Sequence, residues 1–174
     1  MPQTRDSGFS LIEILVTISV LAILLALAAP SLQALARNNR LTGLTNDLVS
    51  TLNFARSEAV KRGGRITVCK SANSGAAAPI CSTAANWRDG WLVFLDTSGT
   101  VGVFDGSDVR LKVGQPSSGN ATITPNAAYA NFVSYLSSGT ASASANIVVC
   151  LETVSRTISI NTTGRIQTSS GVCA

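Results

Sequence analysis

The chain has 174 residues, 45% of them apolar, and a formal net charge of +4 from 13 basic and 9 acidic side chains. That is enough material for one domain with a core plus an anchor, and it excludes a chain that is disordered throughout; the small cationic excess permits anionic partners without requiring them. Histidine is absent, so the commonest general base and the commonest zinc ligand are both missing, and neither an enzyme nor a metal or cofactor site is expected.

Residues 1–8 form a short polar leader. An ordinary secretory signal ends its apolar run with a small-residue cleavage site, whereas here Gly8 precedes the run that begins at Phe9. Cleavage after Gly8 would therefore leave the apolar segment on the mature chain as an anchor. Glu13 stands at the head of that segment, and Ile14 to Ala36 carries no charge, long enough for a bilayer-spanning helix of about 20 residues. An ionised group in an apolar spanning segment is expensive unless paired, so Glu13 is a candidate functional residue that needs a cationic partner. Pro30 is expected to kink the helix, because proline removes one main-chain hydrogen bond and crowds the preceding turn.

The helical pattern continues in amphipathic form. Leu41, Leu44, Leu48, Leu52, Ala55 and Ala59 recur at steps of three or four, with Asn38, Arg40, Asn46, Asn53, Arg56 and Lys61 away from that stripe. Gly63-Gly64 supplies a stop, with Lys61 and Arg62 in the last turn where the helix dipole favours cations. Gly43 is a weak point, marking either local flexibility or a close contact. Taken as one element, Phe9 to Arg62 is a helix on the order of 80 Å long.

Beyond Arg65 the apolar period changes to two, with turn residues at short intervals, which predicts antiparallel strands. They are placed at Arg65–Lys70, Gly90–Asp96, Val101–Phe104, Val109–Val113, Ala121–Thr124, Phe132–Leu136, Asn146–Leu151 and Arg156–Ile160, with a further short one at Arg165–Gln167. Ser71 to Asn86 and the exposed Ser/Ala-rich stretch Ser137 to Ala145 are expected to be loops. Trp91, Val93 and Leu95 alternate on one strand and are expected under the helix stripe, while Trp87 either caps the same core or lies exposed. Asp96, Asp105 and Asp108 lack the alternating oxygen ligands of a dedicated calcium loop and are explained as turn residues.

The four cysteines, Cys69, Cys81, Cys150 and Cys173, avoid the C-x-x-C spacing of redox and zinc motifs. An even number at wide spacing behind an export-type N-terminus favours two disulfides in an oxidising compartment. Three connectivities are possible; the sequence-local one, Cys69 with Cys81 and Cys150 with Cys173, is preferred.

Gly8-Phe9-Ser10-Leu11-Ile12-Glu13 resembles the processing signal of type IV prepilins and pseudopilins. The resemblance implies cleavage after Gly8 by a prepilin peptidase, methylation of the new N-terminal Phe9, and assembly of the mature helix into a filament core. There the Glu13 carboxylate would neutralise the N-terminal amine of a neighbouring subunit, which makes a costly charge an alignment device. Further along, Arg56-Ser57-Glu58-Ala59-Val60, the run Trp87-Arg88-Asp89-Gly90-Trp91-Leu92-Val93-Phe94-Leu95-Asp96, and Ile158-Ser159-Ile160 leading to Gly164-Arg165 resemble the GspH/FimT group of minor pilins and minor pseudopilins.

That group's fold is α+β and type IV pilin-like: a long N-terminal helix packed on a head of antiparallel β-sheets. Mapped onto this chain, it implies a cleaved leader (1–8), a transmembrane and filament-core helix (9–36), an amphipathic helix on the head (37–63) and a β-rich periplasmic head (64–174). The anchor would sit in the bacterial inner membrane, and the head would be extracellular once assembled in a pilus. Implied partners are other major and minor pilins, the peptidase and an inner-membrane assembly platform. Minor pilin of a type IV pilus is the first reading, and minor pseudopilin H of type II secretion the alternative. Some members of the group bind DNA through a Gly-Arg-x-Arg motif near the C-terminus. Gly164-Arg165-Ile166-Gln167 matches its first arginine and has glutamine for the second, and each lost cation removes one phosphate contact.

Overall fold

The computed structural model of the chain describes residues 9–117 and 119–173. The expected leader, including Gly8, lies outside them. The chain divides into two compact units, Met1–Asn38 and Asn39–Ala174.

The main chain of α1 (Leu11–Arg62) is helical throughout its span, position 30 included. In the first unit every side chain described from Phe9 to Leu27 is exposed. The helix contains a stretch of mean hydropathy 2.8, long and apolar enough to cross a membrane. Thr17 and Ser19 cost little in such surroundings, because their hydroxyls donate to the carbonyls of Ile14 and Leu15 (2.8 and 2.7 Å).

In the second unit the helical stripe is buried as its spacing predicts. Leu41, Leu48, Leu52, Ala55 and Ala59 are fully buried and Leu44 packs at the margin. Thr45 joins the buried face by donating to Leu41 O. The helix ends where the glycine pair predicts: Gly63 adopts φ 64°, and Gly64 N–H donates back to Ala59 O (3.3 Å). That reach of five residues is a Schellman closure, which needs a left-handed residue after the last turn. A Cβ at Gly43 would meet nothing, so close packing is not the reason for that glycine.

Eight strands follow among the described residues: β1 (Ile66–Lys70), β2 (Trp91–Leu95), β3 (Val109–Gly114), β4 (Thr122–Pro125), β5 (Phe132–Tyr135), β6 (Ala145–Leu151), β7 (Val154–Ile160) and β8 (Ile166–Val172). They form two antiparallel four-stranded sheets, ordered β3-β2-β1-β5 and β4-β6-β7-β8. One core joins the helix stripe to residues of both sheets, among them Ile66, Val68, Val93, Val133, Ile147, Val149 and Ile158. Both tryptophans are in it: Trp91 Nε1 donates to Thr51 Oγ1 (3.3 Å) and Trp87 Nε1 to Tyr129 O (3.1 Å), so neither buried indole N–H is left unsatisfied. Strand β2 is buried on both faces. Behind it Cys69, Leu92 and Phe94 make a second small core closed by Cys81, Phe104, Val113 and Phe132.

Two expectations are corrected. Val101–Phe104 is a turn, not a strand. Gly102 takes φ 87° and gives its N–H to Asp96 Oδ2 (3.0 Å), while Phe104 lies edge-on against Phe94, so the segment is a lid over the second core. The stretch Ser137 to Ala145 is not simply exposed. Ala141 and Ala145 are buried, Ala141 bridges to Tyr135, and Ala145 opens β6. Small side chains are what let that loop lie flat against β5.

Candidate assembly site and the head surface

Ser10 starts the helix by accepting the N–H groups of Glu13 (3.0 Å) and Ile14 (3.2 Å) on its carbonyl. Glu13 thereby falls in the first turn, where the helix dipole favours an anion. It is exposed, beside a shallow concavity of about 220 Å³ lined by Phe9, Glu13, Ile14 and Thr17. Phe9, at the other side of that concavity, is 77% exposed. The structure thus brings Phe9 and Glu13 to one small surface and surrounds them with apolar side chains that nothing in the first unit covers. Such a carboxylate can hold one cation, and the flanking surface can bury only against lipid or another chain.

The cysteines stand as two local pairs. Cys69 in β1 is bonded to Cys81 across the following loop, and Cys150 in β6 to Cys173 just past β8, with Cα separations of 5.6 and 5.8 Å. The first staples the loop of residues 71–80 to the sheet and the second ties the chain beyond β8 back to β6.

Gly164 and Arg165 form the turn between β7 and β8. Asn161 organises it: its Oδ1 accepts Arg165 N–H (2.9 Å) and its carbonyl accepts Gly164 N–H (2.9 Å). Gly164 has φ 77°, and a Cβ there would run into Gly139 O. The glycine is therefore accounted for by packing between two turns. Arg165 and Gln167 are exposed.

Arg65, Lys70, Arg110, Lys112 and Arg156, which could have joined Arg165 in one basic face, do not gather around it. Arg65 precedes β1 and Lys70 ends it, and Arg110 and Lys112 lie in β3, all in or beside the other sheet, where Arg110 donates to Ala77 O and Lys112 to Thr51 Oγ1. Arg156 shares the β7–β8 sheet but pairs in register with Ser170. The acidic loop is likewise committed internally. Asp96 Oδ2 accepts Thr67 Oγ1 and Gly102 N–H, Asp105 Oδ2 accepts Thr100 N–H, and Asp108 Oδ1 accepts the N–H groups of Thr97 and Ser98. Among the described residues no group of three or more His, Cys, Asp or Glu is placed to hold a metal.

One residue acquires a role that helical periodicity alone conceals. Arg56 lies off the buried stripe, yet its Nε donates to Gly139 O (2.9 Å) and its Nη2 to Thr163 O (3.0 Å), clamping both turns onto α1. A further turn along, Arg62 hydrogen-bonds Glu58 (2.5 Å) and holds its carboxyl below the usual range, with Lys61 contributing at 3.5 Å.

The comparisons with known proteins bear on both units. The family model described as Type II transport protein GspH matches residues 44–164, and the prokaryotic N-terminal methylation motif matches residues 3–29. The fold is similar to that of the Pseudomonas aeruginosa type IV minor pilin FimU in two crystal forms. For the P21 form the TM-score is 0.59 at 20% identity, over 76% of this chain and 90% of that one. For the P65 form it is 0.55 at 20% identity, over 74% and 92%. Against curated proteins the sequence has no match.

Proposed function

The chain belongs to the GspH family, and from that membership we propose that it is a minor pilin of a bacterial type IV pilus, contributing to pilus assembly or to the tip complex. Family and fold are those of pilin and pseudopilin structural proteins, and the methylation motif implies processing by a prepilin peptidase and contact with other pilins. Cleavage after Gly8 exposes Phe9 as the mature N-terminus, residues 9–36 anchor the chain in the inner membrane, and the head lies in the periplasm. On recruitment by the assembly platform, Glu13 pairs with the amine of a neighbouring subunit.

The observation that carries the reading is the carboxylate of Glu13 in the first turn of a helix whose described side chains from Leu11 to Leu27 are all exposed. A buried unpaired charge is costly and a paired one tolerable, so Glu13 favours arrival of a chain with a free amine. In cells carrying Glu13→Gln the chain is cleaved and methylated normally and stays in the membrane, but it is absent from sheared pili. Mass analysis of the mature wild-type chain should give Phe9 as a methylated N-terminus; a different cleavage position defeats the proposal.

The matched family model favours one second reading, a minor pseudopilin of type II secretion. Deleting the gene and measuring piliation, DNA uptake and secretion side by side separates the two, because lost secretion with normal pili overturns the pilus assignment. The DNA reading has a single exposed arginine, Arg165, behind it. It requires the chain to retard duplex DNA at low salt and Arg165→Ala to weaken that binding.

A further inference from the structure

Each sheet has two edges, and three of the four are closed by devices that keep edge strands from pairing with other chains. β4 is four residues long and ends in Pro125. β5 is covered by the bridge from Tyr135 to Ala141 and by Ser142 N–H donating to Ser134 O (2.9 Å). β3 carries Arg110 and Lys112, and the Arg110 guanidinium holds the neighbouring loop across it by donating to Ala77 O (3.1 Å). β8 has none of these. Its seven residues, Ile166–Val172, contain no charge and no proline, run in unbroken register along β7, and are exposed at every position after the first.

The register identifies the main-chain groups that β8 offers. Asn161 N–H donates to Arg165 O, and Cys173 N–H to Thr153 O, so the odd-numbered residues of β8 direct their N–H and C=O groups at β7. Those of Ile166, Thr168 and Ser170 point the opposite way, out of the sheet. No hydrogen bond among the described residues reaches them.

We infer that β8 is a docking edge for a second copy of this chain, added antiparallel about Ser169. That centre sets Thr168 against the second copy's Ser170, both in the outward-bonding set. It also sets Ile166 against the second copy's Val172, whose side chain is 82% exposed. The two apolar residues of the strand thus meet each other, as stabilising cross-strand pairs do. Charge selects the direction. Arg165 stands at one end of β8, and Glu152, in the turn between β6 and β7, stands at the end where Val154 pairs with Val172. Antiparallel addition brings each arginine toward the other copy's glutamate, and parallel addition would stack arginine on arginine. One strand pair buries less than a standard interface, so the contact forms when copies are concentrated in one membrane or filament and is weak in dilute solution.

The test uses the full-length chain in bacterial inner membranes under mild oxidation. In the docked arrangement residue 169 faces its own counterpart in a non-hydrogen-bonded pair with Cα atoms about 4.5 Å apart, within disulfide range. Ser169→Cys therefore gives a covalent dimer. Gln167→Cys does not, since four residues of offset put it about 13 Å from its counterpart. Adding Thr168→Pro to Ser169→Cys removes the dimer, because proline deletes an outward N–H while the bonds to β7 survive. Co-expressed Thr168→Cys and Ser170→Cys chains join to each other, an independent reading of the register that leaves Ser169 in place. The inference is overturned by any of four results: no dimer from either design, equal dimer from Gln167→Cys, a dimer that survives Thr168→Pro, or adducts to other proteins only.

Discussion

Replacing Arg56 by alanine tests whether α1 and the two turns behave as one clamped body. The guanidinium supplies two charge-assisted hydrogen bonds, one part-buried to Gly139 O and one exposed to Thr163 O. Bonds to charged groups contribute about 1.5–3 kcal/mol each, the exposed one at the low end or below, so Arg56→Ala should cost roughly 2–3 kcal/mol. For a head of this size that is a fall in Tm of about 5–10 °C. Arg56→Lys should recover about half, because a single ammonium serves one carbonyl where the planar fork serves two. Thermal unfolding of the full-length chain in detergent gives the total. Hydrogen exchange gives the location, with acceleration expected at Gly139 N–H, which donates to Leu136 O, and at Gly164 and Arg165 N–H, which are held by Asn161. A Tm shift below about 2 °C for Arg56→Ala, or exchange unchanged in both turns, would refute the clamp.

Two further perturbations follow from the same packing. Gly43 is exposed, lies in the helix interior and has open space where a Cβ would stand, so Gly43→Ala should stabilise the folded chain by about 0.5–1 kcal/mol in denaturant unfolding; a loss of stability would refute the regular, open helix at that position. Burial pushes the Tyr129 hydroxyl, which donates to Ala143 O, from 10.0 up to about 12, and shifts Tyr135 in the same direction. Unfolded tyrosine loses its proton from pH 10 upward while the folded one keeps it, so stability is complete below pH 10 and declines toward pH 12. Tyr129→Phe should make that decline shallower in a series of denaturant midpoints, and an unchanged slope would refute the linkage.

Much of the head was legible because burial leaves a period. The helix stripe from Leu41 to Ala59 and the alternation of Trp91 and Val93 are statements about which face meets the core, and the observed burial follows them. Legibility failed where a segment's partner is not its neighbour in sequence. Val101–Phe104 has strand-like residues, but Gly102 N–H is claimed by the Asp96 carboxylate, Val103 N–H turns back to Thr100 O, and Phe104 is drawn onto Phe94. Arg56 reads as a solvated charge because the carbonyls it binds arrive from turns far along the chain. β8 extends to Val172, well past the short strand expected at Arg165–Gln167, because neither of its faces is buried and a Gln-Thr-Ser-Ser-Gly run therefore shows no alternation.

The surfaces that matter for function divide on the same principle. Glu13 can be singled out from sequence because a carboxylate beside an uncharged apolar segment is a visible imbalance, and imbalance in a hydrophobic setting implies a missing partner. The open edge of β8 is also an incomplete structure, but what it lacks is hydrogen-bond partners for main-chain groups that every residue carries. Composition cannot reveal that; strand order and register can. The first incompleteness is electrostatic, set at the N-terminal end of α1, and would be relieved by any subunit offering an amine there. The second is geometric, set by the parity of β8, and only a strand in the matching register relieves it. A chain with both can be held at its anchor by charge and aligned at its head by main-chain pairing, and the two contacts are separable: Glu13→Gln should leave cross-linking through Ser169→Cys intact in the membrane, while Thr168→Pro should leave anchoring and N-terminal processing unchanged.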